Sequence, residues 1–177
     1  MRTISVLLLL LSTRQPGFSQ YTPVNAAPAV QFRVKNFGFA VTGNFTGVAG
    51  KIVFDPLKYG EAVFDVSVDA TTVNTDNSMR DDHLRRVDYL DVERYPKIRL
   101  VSEHITAGSS KGMYVFSGRL EMKGRAKVIS FPFSAEALVG GGYRFKGGFT
   151  IKRKEFGIGG TSTISDELDV LLDVIAK

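Results

Sequence analysis

From residue 30 onward, apolar and polar residues alternate with a period of two, the repeat that sends successive side chains to opposite faces of a β-strand. Val30, Phe32 and Val34 alternate with Gln31, Arg33 and Lys35. The pattern returns in Ala62, Phe64, Val66 and Val68 against Asp65, Ser67 and Asp69, and in Ile129, Phe131, Phe133, Ala135 and Ala137 against Ser130, Ser134 and Glu136. It is clearest where Tyr143, Phe145, Phe149 and Ile151 face away from Arg144, Lys146, Thr150 and Lys152. Runs near 48–55, 98–106, 112–122 and 167–175 bring the expected number to eight strands. The breaks between them, such as Asp55-Pro56, Gly108-Ser109-Ser110, Gly140-Gly141-Gly142 and Gly159-Gly160, carry turn chemistry. Closely spaced strands with short turns favour antiparallel pairing in a sandwich or barrel, and the spacing here predicts an all-β chain folded as an eight-stranded antiparallel barrel. Such a barrel is either filled by side chains or holds one small ligand.

One stretch departs from the alternation. Between Asn77 and Val92, the spacing of Met79, His83, Leu84, Val87 and Leu90 suits helical turns, with Asp76, Asn77 or Ser78 as the N-cap. A short helical insertion near 77–93 is expected, ended by Tyr95-Pro96, which returns the chain to an extended conformation.

The first nineteen residues have another character. Arg2 gives a positive start, Ile4 to Leu11 is apolar apart from Ser5, and Gly17-Phe18-Ser19 supplies small residues for cleavage. The expected organisation is a signal peptide over 1–19 and one barrel domain over 20–177, exported to a periplasmic or extracellular space. The apolar run is far shorter than the roughly 20 residues of a bilayer span, so no permanent membrane anchor is expected. Loss of Arg2 and Arg14 reduces 23 basic residues to 21 against 18 acidic ones, a net charge of about +3. Signs are interleaved, and no positive stripe suited to nucleic acid is present. There is no cysteine, so an exported fold must hold by packing alone, without disulfides or thiolate metal sites.

The run Thr72-Val73-Asn74-Thr75, then Arg80-Asp81-Asp82-His83-Leu84, Asp88-Tyr89-Leu90-Asp91-Val92 and Tyr95-Pro96, resembles the central signature of the YceI-like family. The resemblance continues through Gly118-Arg119-Leu120, the turn at Gly124 and Lys127, and Arg153-Lys154-Glu155-Phe156-Gly157-Ile158. It implies a lipocalin-like antiparallel barrel, secreted or periplasmic, enclosing a polyisoprenoid, an isoprenoid quinone or a similar long amphiphile. No enzymatic chemistry is implied. The chain departs from the family pattern in having Ala27-Pro28-Ala29 where a His-Ser pair often precedes the first strand, and Lys123-Gly124 in place of a later His-Gly.

The expected ligand contacts are the inward residues Phe32, Val34, Phe64, Val66, Phe116, Leu120, Phe131, Phe133, Phe145, Phe149 and Ile151. The same residues would also suit an ordinary packed core. Gly118 and Gly147 occupy apolar-face positions and leave space there, which favours a hollow interior. Arg153 continues the parity of Phe149 and Ile151, so it is expected to point inward, toward a headgroup or into an ion pair with Glu155 or Asp81. Each buried carbon returns about 0.8 kcal/mol, so two isoprene units give roughly 8 and four roughly 16, against an association cost of roughly 4–15 kcal/mol. Selection should therefore be for length.

No catalytic residue, metal or cofactor is expected. Ser117-Gly118 and Ser134 lack a nucleophile context, and His83 and His104 lack the compact ligand set of a zinc site. Two other readings remain open. One is a barrel enzyme acting on a lipid through His104 and a neighbouring carboxylate, and the other is a ligand-free, stress-related interaction protein. A homodimer through an edge strand is compatible with the residues.

Overall fold

The alternation becomes a single antiparallel sheet. The computed structural model describes residues 19–24, 28–160 and 163–177. The expected signal peptide lies outside them apart from Ser19, as does Ala27. The strands are β1 (Gln20–Tyr21), β2 (Pro23–Val24), β3 (Val30–Asn36), β4 (Phe39–Phe45), β5 (Ala49–Val53), β6 (Val63–Asp69), β7 (Lys97–Ala107), β8 (Met113–Met122), β9 (Arg125–Ala137), β10 (Tyr143–Lys152) and β11 (Ile164–Ala176). One helix, α1 (Ser78–Arg85), lies between β6 and β7. The strand order is β1-β5-β6-β7-β8-β9-β10-β11-β3-β4, with β2 also paired to β11.

The expected strands are all present, and three more bring the sheet to eleven. β1 and β2 are two residues each, too short for any alternation to show. β4 does not show in the alternation because glycine, Gly43, stands at an inward position between Val41 and Phe45, while Phe39 is exposed. A Cβ at Gly43 would lie 2.3 Å from the Phe32 ring, so glycine is what lets that ring pack across the hairpin.

The sheet curls until its ends meet, by a different device at each end. At one, residues 20–24 pair with β5 through β1 and with β11 through β2, and Thr22 and Lys177 exchange backbone hydrogen bonds of 2.8 and 3.0 Å. At the other, Asn44 of β4 and Asn74 exchange bonds of 2.8 and 3.0 Å, and Thr72 Oγ1 accepts the Thr46 N–H at 2.9 Å. The Thr72-to-Thr75 run is thus the clasp that closes the barrel.

β7 holds a bulge between Ser102 and His104. The extra residue reverses the parity of the strand, so Ile105 is buried along with the inward Leu100, and His104 is exposed outside. Asn77 caps α1 by accepting the Arg80 N–H at 3.0 Å. The helix ends at Arg85, sooner than expected, and turns fill the rest of the insertion. Its apolar spacing does not mark a buried face: Met79 is 83% exposed, and the one buried helix residue is Asp81. Polar anchoring replaces apolar packing here, since Asp81 Oδ1 accepts both the N–H and the O–H of Thr75, at 2.9 and 2.5 Å.

On the outer face, Arg99 grips Asp65 at 2.8 and 2.7 Å, and Arg144 grips Asp173 at 2.7 and 2.7 Å. These hydrogen bonds hold both carboxyls below the ordinary aspartate value despite opposing burial. A depressed folded value means that the stabilisation is complete above the ordinary carboxylate range and is lost as pH falls through the folded value. The urea midpoint should therefore fall below about pH 4, and Asp65→Asn with Asp173→Asn should flatten that fall. The effect is modest because both pairs are half-exposed. An acid limb unchanged in the double variant would assign it to other groups.

Candidate ligand-binding cavity

The inward side chains divide into two regions along the barrel. Around Phe54, which is 1% exposed, the rings of Phe64, Tyr114, Tyr143 and Phe145 lie with centroids 5.1–6.2 Å away at steep angles. Phe116 stacks on Phe131 at 4.9 Å, and Phe133 packs on Phe64 at 5.5 Å. These rings form a solid aromatic plug. The glycines expected to open space serve the plug: a Cβ at Gly118 would meet the Val101 carbonyl at 2.1 Å and the Phe116 ring at 2.9 Å, and one at Gly147 would meet Phe131 at 3.1 Å.

Beyond the plug the barrel is hollow. A cavity of about 480 Å³, within the range of small-molecule sites, is lined mainly by apolar side chains. Seven of the residues expected at the ligand border it: Phe32, Val34, Val66, Leu120, Phe149, Ile151 and Arg153. Phe64, Phe116, Phe131, Phe133 and Phe145 stand in the plug instead. Phe149 joins the two regions, lining the cavity while its ring lies 4.9 Å from Phe131. Further lining residues not singled out from the sequence are Val41 and Phe45 of β4, and Leu168 and Val170 of β11. Those of β11 were readable, because they alternate with Asp169 and Glu167.

Arg153, 2% exposed, borders the cavity at the end of β10. Its guanidinium donates to the carbonyls of Ile158 at 2.7 Å, Ile164 at 2.9 Å, Ser165 at 3.0 Å and Gly160 at 3.4 Å. The fork ties Ile158 and Gly160 to Ile164 and Ser165 at this end of the barrel. Of the two acids considered for an ion pair, Asp81 is engaged with Thr75. Arg80 reaches the same threonine from above, donating to Thr75 Oγ1 and O at 2.7 Å each. His83 packs edge-on against Tyr89 at 4.7 Å, and both border the cavity. Lys123 donates to the Gly157 carbonyl at 2.7 Å, and burial pushes its ammonium below the ordinary lysine value. Signature residues from Thr72 to Leu90 and from Arg153 to Ile158, together with Lys123, where the chain departs from the family pattern, thus build one end of the barrel, the open one.

His104 is exposed on the outer face and does not meet the cavity. Among the described residues, no three His, Cys, Asp or Glu side chains stand close enough to share a metal ion. No helix among them is long and apolar enough to cross a membrane.

Comparison with known proteins agrees with this architecture. The profile of the YceI-like domain matches residues 21–176. A UPF0312 protein of Shewanella denitrificans is 29% identical over 164 residues, 86% of this chain and 84% of that protein. A UPF0312 protein of Pseudomonas syringae is 31% identical over 147 residues, 80% of this chain and 76% of that protein. Among solved structures, Burkholderia cenocepacia BcnA superposes with a TM-score of 0.78 at 22% identity, covering 89% of this chain and 96% of that one. A polyisoprenoid binding domain from Saccharophagus degradans, implicated in plant cell wall breakdown, superposes at 0.68 with 16% identity, covering 89% and 97%.

Proposed function

The chain belongs to the YceI-like family, and from that membership we propose that it binds a long apolar chain, of a polyisoprenoid, an isoprenoid quinone or a similar amphiphile, inside the barrel. The observation that carries this reading is the apolar cavity itself, floored by the aromatic plug and bordered at its open end by Thr75 and Arg80. The Saccharophagus degradans domain of like fold, described as polyisoprenoid binding, supports the ligand class. The tail contacts Phe32, Val34, Val66, Leu120, Phe149 and Ile151, with Arg153 holding the wall in place rather than a headgroup. Sequestration, not chemistry, is the activity, and residues 1–19 direct the protein to an exported compartment.

The cavity sets the reach of binding. If each carbon takes about the 30 Å³ that a water molecule occupies in the liquid, 480 Å³ accommodates on the order of fifteen carbons, about three isoprene units. Burying them returns roughly 12 kcal/mol, against an association cost of roughly 4–15. A chain must therefore nearly fill the cavity to be retained. Calorimetry with straight-chain alcohols and prenols of rising length should show affinity climbing about fourfold per added methylene, with a plateau near fifteen carbons. Affinity indifferent to length would contradict binding in this cavity.

A further inference from the structure

The inner face of the β3–β4 hairpin does not stop at the rim of the barrel. Val34 pairs with Val41 on the cavity side, and two residues further along Asn36 pairs with Phe39, so Phe39 shares that side. Val34, Val41 and Asn36 line the cavity, whereas Phe39 stands beyond it, 77% exposed. Phe37, at the hairpin tip, is 72% exposed and held at φ +50°. That left-handed conformation suits Gly or Asn and disfavours a bulky side chain. Neither turn geometry nor packing accounts for phenylalanine there, and a broken local rule without compensation marks a site with another use.

The helix borders the same opening. A Cβ at Gly43 on β4 would lie 2.8 Å from Thr75 Cγ2, just before α1, and Met79 of α1 lines the cavity while 83% exposed. Lys35 is exposed beside the hairpin tip and Arg80 lines the opening. Among the described residues, neither has a carboxylate within ion-pair distance.

We propose that the β3–β4 tip, with Met79, docks the open end of the barrel on the surface of a lipid bilayer. The inference rests on the chain-carrying reading above: an apolar chain leaving the cavity would cross water unless the opening meets the membrane directly. Phe37, Phe39 and Met79 enter the interface, where exposed aromatic and apolar side chains flanked by basic ones are favoured. Lys35 and Arg80 meet anionic headgroups.

The test uses the chain beginning at Gln20, which carries every strand and α1. Sedimentation with vesicles of phosphatidylcholine and phosphatidylglycerol should carry the unaltered protein down. F37S/F39S should bind about tenfold more weakly or worse, while taking up a soluble fluorescent long-chain probe as before in vesicle-free buffer. Lys35→Glu, on the outer face, should lose about fivefold on vesicles containing phosphatidylglycerol and little on phosphatidylcholine alone. Equal vesicle binding by F37S/F39S, or none by the unaltered protein, overturns the docking while leaving probe uptake intact. A dimer that becomes a monomer in F37S/F39S also overturns it, and assigns the surface to a second copy. Failure of the unaltered protein to take up the probe defeats the chain-carrying reading, and the docking with it.

Discussion

Arg153→Ala should lower the unfolding free energy by about 4 kcal/mol, read as a fall in urea midpoint, while the amount of apolar chain bound per folded protein stays the same. The side chain is 2% exposed and donates to the backbone carbonyls of Ile158, Gly160, Ile164 and Ser165. Hydrogen bonds from a charged donor contribute about 1.5–3 kcal/mol each, and truncation leaves buried acceptors unsatisfied. The loss is less than the sum because carbonyls freed near the barrel's open end can be hydrated instead. Arg153→Lys should recover little, since one ammonium cannot reproduce a planar fork spread over several carbonyls. Normal stability with lost ligand would instead place the guanidinium on a headgroup.

Phe54→Ala should be comparably damaging, at about 3–5 kcal/mol, because it opens a void beneath four aromatic rings in the solid half of the barrel. Phe149→Ala should do the opposite. Its ring borders space that is already open, so the stability cost is smaller, about 1–2 kcal/mol, while the floor of the cavity drops and the length optimum moves to longer chains. Urea titration and the alcohol series, run on both variants, separate the two roles. Equal effects on stability and on chain length would erase the distinction between plug and cavity.

The barrel was legible because period-two alternation fixes which side of a strand a residue takes. Height along the barrel is a different quantity, set by strand register, and alternation is silent about it. Phe131 and Phe149 both point inward, yet only Phe149 meets the cavity; Phe116 and Leu120 lie on one strand and fall on either side of the division. The hairpin turns offered some guidance. Tyr114 and Tyr143 closely follow the Gly108–Gly112 and Gly140–Gly142 turns, and Phe133 pairs with Tyr114, so these rings collect at one end. Leu100 and Ile105 stand on opposite parities in the sequence, and the bulge between Ser102 and His104 brings both inward while leaving His104 outside. Arg153 continues the inward parity of β10, but its carbonyl partners at Ile158, Gly160, Ile164 and Ser165 fall outside that strand, where alternation gives no guidance. The clasp is similar: Asn74 meets Asn44 from thirty residues away, a contact that the signature run marks without explaining.

The most direct test of the central claim is native mass spectrometry of the protein purified from its own host, followed by solvent extraction of whatever is bound. The expected spectrum shows a chain beginning at Gln20 or the next residue, carrying one apolar long-chain amphiphile whose tail is an isoprenoid or its equivalent in length. A chain recovered empty that also refuses added prenols and quinones would contradict the claim, and would leave the cavity without a ligand.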